Sequence, residues 1–270
     1  MKNPVENDRP TSFPEVNAIL QVLLGGVQGV LGPQLIGMYL EGSLAGGDFD
    51  QDSDIDFVVV TDGDIPEKFF QKLWSMHEQL NLLDTYWSTN LEGSYMSRAA
   101  LRRHDPNHAV HPNIERGYAE RLKWADHDET WNIHRHILRE RGLTIIGPDP
   151  VSLIDPITPV QLRQAMFPAL QVWATGLLDH PEAIVRQGYQ SYVVLSMCRI
   201  LYTLQFGQVA SKLKAAGWVK ASTGGQWDRL IDNSWLGRHA PQLPAGTEDI
   251  EQTLELIRYV LVQSRQPALP

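Results

Sequence analysis

The residues of this 270-residue chain best suited to chemistry are Gly42-Ser43, followed by Asp54-Ile55-Asp56. Side chains two apart on a strand project from one face, so Asp54 and Asp56 would stand side by side. Two carboxylates that close repel unless cations sit between them. Mg2+ takes a few hard oxygen ligands together with phosphates and water, so the pair predicts a metal-assisted nucleotide site. Leu40-Glu41-Gly42-Ser43 reads as a strand entering a tight turn. There glycine lets a ligand approach the backbone, and exposed N–H groups with the Ser43 hydroxyl can hold phosphate oxygens. Gly-Ser turns and Asp-x-Asp are each common by chance. Joined by Gly46-Gly47 and leading into an apolar strand, they agree in structural context. A plain turn through Asp52, Ser53 and Asp54 leaves Asp56 unexplained, since it is a charge where strand burial is costly without a partner.

The elements that must position these groups alternate between helix and strand, which points to layers of sheet and helix. Val16, Ile19, Leu20, Leu23, Val27 and Val30 recur at helical spacing behind Thr11, Ser12 and Pro14. Leu35 to Leu40 reads as a strand, as does Ile55 to Val60, whose apolar faces place it centrally in the sheet. Phe69, Leu73, Met76 and Leu80 make a covering helix, and a third strand is expected around Asp84 to Tyr95. Arg98 to Asp126 breaks into Pro, Asn, His and charges and reads as an irregular loop with some helix. A helix from about Thr130 to Arg141 and a short strand Leu143 to Ile146 follow. Gly147-Pro148-Asp149-Pro150 then punctuates the chain. Beyond it, Pro159 to Leu178, Glu182 to Phe206, Val209 to Val219 and Glu248 to Gln263 are all helical in period. The expectation is an α+β fold, with a mixed-sheet domain over residues 1–150 and an all-helical domain over 151–270.

Bulk properties bound the partners. A net charge of -9 argues against a duplex nucleic acid, whose phosphates need clustered Lys and Arg. The apolar stretch Ala18 to Leu31 is short for a bilayer and broken by Gln21 and Gln28, so no membrane span is expected. Met1 to Pro10 is polar and of mixed charge, unlike a signal peptide. Together with the single cysteine, Cys198, read as a buried thiol, this makes a cytoplasmic protein the default. A monomer is favoured.

With these residues in view, Gly42-Ser43 and Asp54-Ile55-Asp56 resemble the DNA polymerase β-like nucleotidyltransferase superfamily. The runs Leu195-Ser196-Met197-Cys198-Arg199-Ile200-Leu201-Tyr202 and Ala210-Ser211-Lys212-Leu213-Lys214-Ala215-Ala216-Gly217-Trp218 resemble the helical C-terminal domain of the aminoglycoside adenylyltransferases of the streptomycin and spectinomycin 3''/9 group. The resemblance spans nearly the full chain. It implies ATP as co-substrate, two Mg2+ ions held by Asp54, Asp56 and a third carboxylate, and AMP transfer to a hydroxyl of a small molecule. Glu92, in Thr89-Asn90-Leu91-Glu92-Gly93-Ser94-Tyr95, matches the third carboxylate and would be the general base, ahead of Asp84 and Asp105. Gly42 and Ser43 would hold phosphate, and Arg199 and Lys212 would reach the nucleotide. The resembled group carries an acidic pair before the helix with the arginine, whereas Val185-Arg186-Gln187-Gly188-Tyr189 holds no acid. The acceptor therefore stays open between an aminoglycoside, another small molecule and a protein side chain. A catalytically silent nucleotide-binding module is the third alternative, against which Asp54, Asp56 and Glu92 argue.

His104, His108, His111, His134 and His136 invite a zinc reading, but Pro106 interrupts the His104-x3-His108 spacing and no further ligand set follows. They read as surface histidines. Of the eight tryptophans, Trp131, Trp173 and Trp218 read as core, and Trp124 alone as a possible substrate contact.

Overall fold

The computed structural model describes residues 10–83, 85–115 and 122–265. The readings placed on residues 1–9, on Asp84 and on residues 116–121 lie outside these. In chain order the elements are α1 (Pro14–Leu31), β1 (Leu35–Leu40), α2 (Gly42–Gly46), β2 (Ile55–Thr61), α3 (Glu67–Asn81), α4 (Tyr86–Thr89), β3 (Leu91–Ser97) and α5 (Arg98–Arg102). They continue with β4 (Val110–Ile114), β5 (Lys123–Asp126), α6 (Asn132–Arg141), β6 (Leu143–Ile146) and α7 (Pro150–Leu153). Five long helices complete the chain: α8 (Pro159–Asp179), α9 (Gln187–Phe206), α10 (Lys212–Ser222), α11 (Asp228–Gly237) and α12 (Thr247–Gln263).

The chain divides into two compact units, residues 1–156 and 157–270. The division falls beyond the punctuation at Pro150 because Leu153 and Ile154 are buried in the core of the first unit. That unit is a six-stranded mixed sheet in the order β5-β4-β3-β2-β1-β6. The β2–β3 pair is parallel and the other pairs are antiparallel. The strand with two apolar faces, β2, is central, as its composition requires.

Alternation along the strands sorts the two faces. Met38, Leu40, Ile55, Phe57, Val59, Leu91 and Tyr95 pack with α1 and α3. Tyr39, Val58, Val60 and Met96 pack on the other face with Ala100, Leu101, Leu138 and Leu153. Helix α1 is long and apolar enough to cross a membrane by length and composition alone. Its apolar stripe Val16, Ile19, Leu20, Leu23, Val27 and Leu31 is buried in the first cluster.

Two expectations are corrected here. The third strand begins at Leu91, not near Asp84, because Thr85 and Ser88 form a reciprocal capping box that winds Tyr86–Thr89 into a helical turn. The segment expected as irregular loop contains the antiparallel pair β4–β5, with Val110 opposite Asp126 and Asn113 opposite Lys123.

The second unit is built around α9, buried on most sides through Val193, Val194, Leu195, Met197, Cys198 and Leu201. The stretch expected as one helix from Glu182 to Phe206 is broken by a 3-10 turn at Pro181–Ile184. Helix α11 lies in a segment to which no element was assigned from periodicity.

Candidate active site

The sheet places the sequence-selected acids by parity. Tyr39, Val58, Val60 and Met96 point to the face covered by Leu138 of α6, so Asp56 and Glu92, in step with Val58 and Met96, point there as well. They are direct register partners across the parallel β2–β3 pair. Asp54 stands immediately before β2 rather than within it. Its charge is felt by both Asp56 and Glu92.

Gly42 takes a left-handed backbone, φ 61°, and opens the short helix α2. A Cβ at this position would overlap the Asp56 carboxylate, so glycine is required both by the backbone and by the close approach. The turn expected at Gly42-Ser43 is thus the start of a helical turn that closes through Gly47 N–H donating to Ser43 O at 3.0 Å.

These acids carry the electrostatic signature of an ion site. Burial first, then Glu92, Glu41 and Asp54, push the Asp56 carboxyl well above its ordinary range, with His134 opposing. Burial and then Asp54 lift Glu92 to about 7, with Glu115 and Glu41 adding and His134 opposing. Glu115 is itself paired with Lys123 Nζ at 2.8 Å. Among the described residues no three of these side chains already converge on one point at ligating distance. The donors are hard oxygens, a buried oxygen of Glu41 lacks a partner, and Gly42 brings its backbone directly against the Asp56 carboxylate. The residues present therefore fit Mg2+.

Two members of the constellation were not selected from sequence. Glu41 is 5% exposed and accepts a hydrogen bond from His134 Nδ1 at 2.9 Å. Its extended backbone continues the alternation of β1, which puts it on the face of Tyr39 and Asp56. The signal available for Glu41 was the one that exposed Asp56, an acid at the buried end of an apolar strand. His134, on α6, had no local signal. Partial desolvation of a ring still 47% exposed opposes its charge, but Glu41, by attraction and hydrogen bond, with Asp56 and Glu92, raises its pKa.

His134 is also braced by rings. It stacks on Trp131 at 4.7 Å, and Trp131 stacks on His127 at 3.8 Å and 8°. His127 Nε2 meets Ser94 Oγ on β3. The reading of the named histidines as surface residues is corrected for His111, which is buried at 4% exposure.

Arg199 and Lys212 belong to the second unit. Arg199 Nε donates to Ala210 O at 3.2 Å, two residues before Lys212 opens α10, so both cations share one corner of that unit. Cys198 is buried. Trp124 stacks on Phe70 of α3 at 4.8 Å and 12°, on the sheet face opposite Asp56. Asp105 caps a 3-10 turn and pairs with His108, away from the β2–β3 pair.

Comparison with known proteins bears on the fold and the domain order. Residues 31–88 match the nucleotidyltransferase domain family, and residues 152–261 match the family described as aminoglycoside adenylyltransferase, C-terminal domain. An aminoglycoside (3'') (9) adenylyltransferase from Escherichia coli is 26% identical over 273 residues, covering 93% of this chain and 96% of its own. A spectinomycin 9-adenylyltransferase from Staphylococcus aureus is 22% identical, covering 71% of this chain and 73% of its own. The crystal structure of a spectinomycin adenyltransferase AAD(9) from Enterococcus faecialis, with ATP and spectinomycin, shares the fold. Its TM-score is 0.64 at 16% identity, over 92% of this chain and 99% of that one. The chain is an enzyme in which a nucleotidyltransferase domain is followed by a domain that matches the C-terminal domain of the aminoglycoside adenylyltransferases, the proteins it resembles along most of its length.

Proposed function

We propose that this enzyme transfers AMP from ATP to a hydroxyl of a small-molecule acceptor, an aminoglycoside antibiotic, with Mg2+ as cofactor. The observation that carries this reading is the register pairing of Asp56 with Glu92 beside Asp54, with the Gly42 backbone packed directly against the Asp56 carboxylate. Asp54, Asp56 and Glu92 would hold two ions, which supply charge neutralisation at the transferred phosphoryl and at the attacking and leaving oxygens. Glu92 accepts the proton of the acceptor hydroxyl. The acceptor oxygen then forms a bond to the α-phosphorus as the bond to pyrophosphate breaks. Gly42 lets the phosphates approach the backbone, Ser43 donates its hydroxyl to them, and Arg199 and Lys212 add positive charge to the nucleotide. The relatives' substrates support the acceptor class, and the net charge of -9 suits a cationic one. A cytoplasmic monomer that needs neither nucleic acid nor membrane completes the reading.

One observation favours a second acceptor class. Tyr189, at the end of the acid-free stretch from Val185, is ringed by aromatics. Trp173 Nε1 donates to its hydroxyl at 3.2 Å, and Tyr192 stacks on it at 5.9 Å. Both tyrosines are exposed, a surface suited to stacking on an uncharged, hydroxylated acceptor.

The test is pyrophosphate release from ATP and Mg2+ with a panel of aminoglycosides including streptomycin and spectinomycin, against uncharged hydroxylated compounds. Release with a drug, abolished by Asp56→Asn, supports the first reading. Release confined to uncharged acceptors overturns its aminoglycoside part, and release at the parent rate in Asp56→Asn overturns the carboxylate mechanism.

A further inference from the structure

Glu41 presents two differently held oxygens. Oε1 accepts from His134 Nδ1 at 2.9 Å, while Oε2 is buried and has no hydrogen-bond partner. A buried carboxylate oxygen without a donor is costly, and an ordered water or an ion is what satisfies such a group. The backbone fixes where that oxygen is. Glu41 N–H donates to Asp56 O at 3.0 Å, so Glu41 is the neighbour of Asp56 across the β1–β2 pair, as Glu92 is across β2–β3. All three project from the same sheet face, and the charge of Glu41 is felt at both Asp56 and Glu92.

We propose that Glu41 is a fourth carboxylate of the divalent-cation site, with Oε1 tethered by His134 and Oε2 offered to the ion. The proposal rests on the reading of Asp54, Asp56 and Glu92 as ion ligands. His134 is the positioning residue. Its ring, stacked on Trp131 and through it on His127, holds the carboxylate in one orientation, as the hydrogen-bonding partner of a ligand does in metal sites generally. A fourth carboxylate brings the negative charge of the site level with that of two divalent ions, which three leave in excess, so affinity for divalent cations rises even before ATP arrives.

Mn2+ binding, followed by the electron paramagnetic resonance of the free ion with and without a non-hydrolysable ATP analogue, tests this directly. The parent protein, Glu41→Gln, His134→Gln and Asp56→Asn are compared. Glu41→Gln keeps shape and the contact to His134, and its Mn2+ affinity is expected to fall on the order of 10–100-fold. His134→Gln, at a ring 47% exposed and thus tolerant of change, is expected to lose about tenfold. Parent affinity in Glu41→Gln alongside its loss in Asp56→Asn would reduce Glu41 to an internal partner of His134 and overturn the proposal. Parent affinity in His134→Gln overturns the tether. If the parent binds no Mn2+ with or without nucleotide, the ion-site reading itself falls, a result separable from the first. Cooperative thermal melting in chelator establishes that each variant is folded.

Discussion

Asp56 and Glu92 face each other across two parallel strands, in register, with Asp54 and Glu41 close enough to raise the Asp56 pKa further. Such an arrangement opposes folding in the absence of a counter-charge, because burial and repulsion both disfavour the ionised forms. The sheet keeps it because the flanking strands β1, β2 and β3 are anchored on both faces by apolar side chains, from Phe57 and Tyr95 below to Val58 and Met96 above.

The Glu92 carboxyl, at about 7 in the fold against 4.5 in the unfolded chain, makes a pH-dependent cost. Below 4.5 both states hold the proton and the cost is absent. Between 4.5 and 7 the folded state keeps a proton that the unfolded chain has released, so stability falls as pH rises, and above 7 the whole cost stands. Glu92→Gln removes it. In chelator the variant should match the parent near pH 4.5 and exceed it by roughly 3 kcal/mol above pH 7, at 1.36 kcal/mol per pKa unit. Urea unfolding across that range reads the difference, and a gain independent of pH refutes it. Pyrophosphate release by the same variant should drop by about 10²–10⁴-fold with loss of the base.

Gly42→Ala forces a Cβ into the Asp56 carboxylate at a left-handed backbone position. Gly47→Ala takes a similar conformational cost, φ 80°, with nothing within 4 Å of the new methyl. Gly47→Ala should lose about 1–2 kcal/mol from the backbone alone, and Gly42→Ala more, because of its overlap with Asp56. Only Gly42→Ala should lower kcat/KM, by on the order of 100-fold, as a misplaced ligand does. Equal activity in the two variants would remove Gly42 from the site.

Trp124→Ala should lower the melting temperature and leave the KM of both substrates at the parent value, because its ring is spent on Phe70 across the opposite sheet face. A raised acceptor KM in a variant of unchanged stability would return Trp124 to the site.

What the sequence showed and what it hid follow from range. Asp56 was legible because a charge inside Ile55–Thr61 contradicts its surroundings. The helices α1, α3, α8 and α12 were legible because their apolar faces repeat over many turns. Glu92 was placed by its resemblance to a family pattern, and its register against Asp56 belongs to the sheet alone. The β4–β5 pair was hidden because His111, Pro112, Asn113 and Lys123 show no alternation, and each strand is fixed by its neighbour. The turn at Tyr86–Thr89 was hidden by aromatics that favour strands, although the Thr85 and Ser88 caps were there to read. The Glu41–His134 contact joins residues 93 apart, and nothing local announces it.

Acid should destabilise this protein through groups outside the carboxylates as well. Burial holds His77 at about 3, His127 at about 3 and His111 at about 4. His77 Nε2 meets the Tyr95 hydroxyl at 2.8 Å beneath the sheet. A folded pKa depressed below 6.5 leaves stability intact above 6.5 and removes it as pH falls, because the unfolded chain takes up protons that the fold refuses. Three such groups give a slope of about 4 kcal/mol per pH unit, offset in part by Glu92 and Asp56, whose contributions run the other way. Stability measured by urea unfolding should therefore decline from pH 6.5 towards 4. The decline should be shallower by about one proton in His77→Gln and steeper in Glu92→Gln. The opposite responses of those two variants separate the histidine and carboxylate contributions, and a His77→Gln slope equal to that of the parent would contradict the burial of that ring.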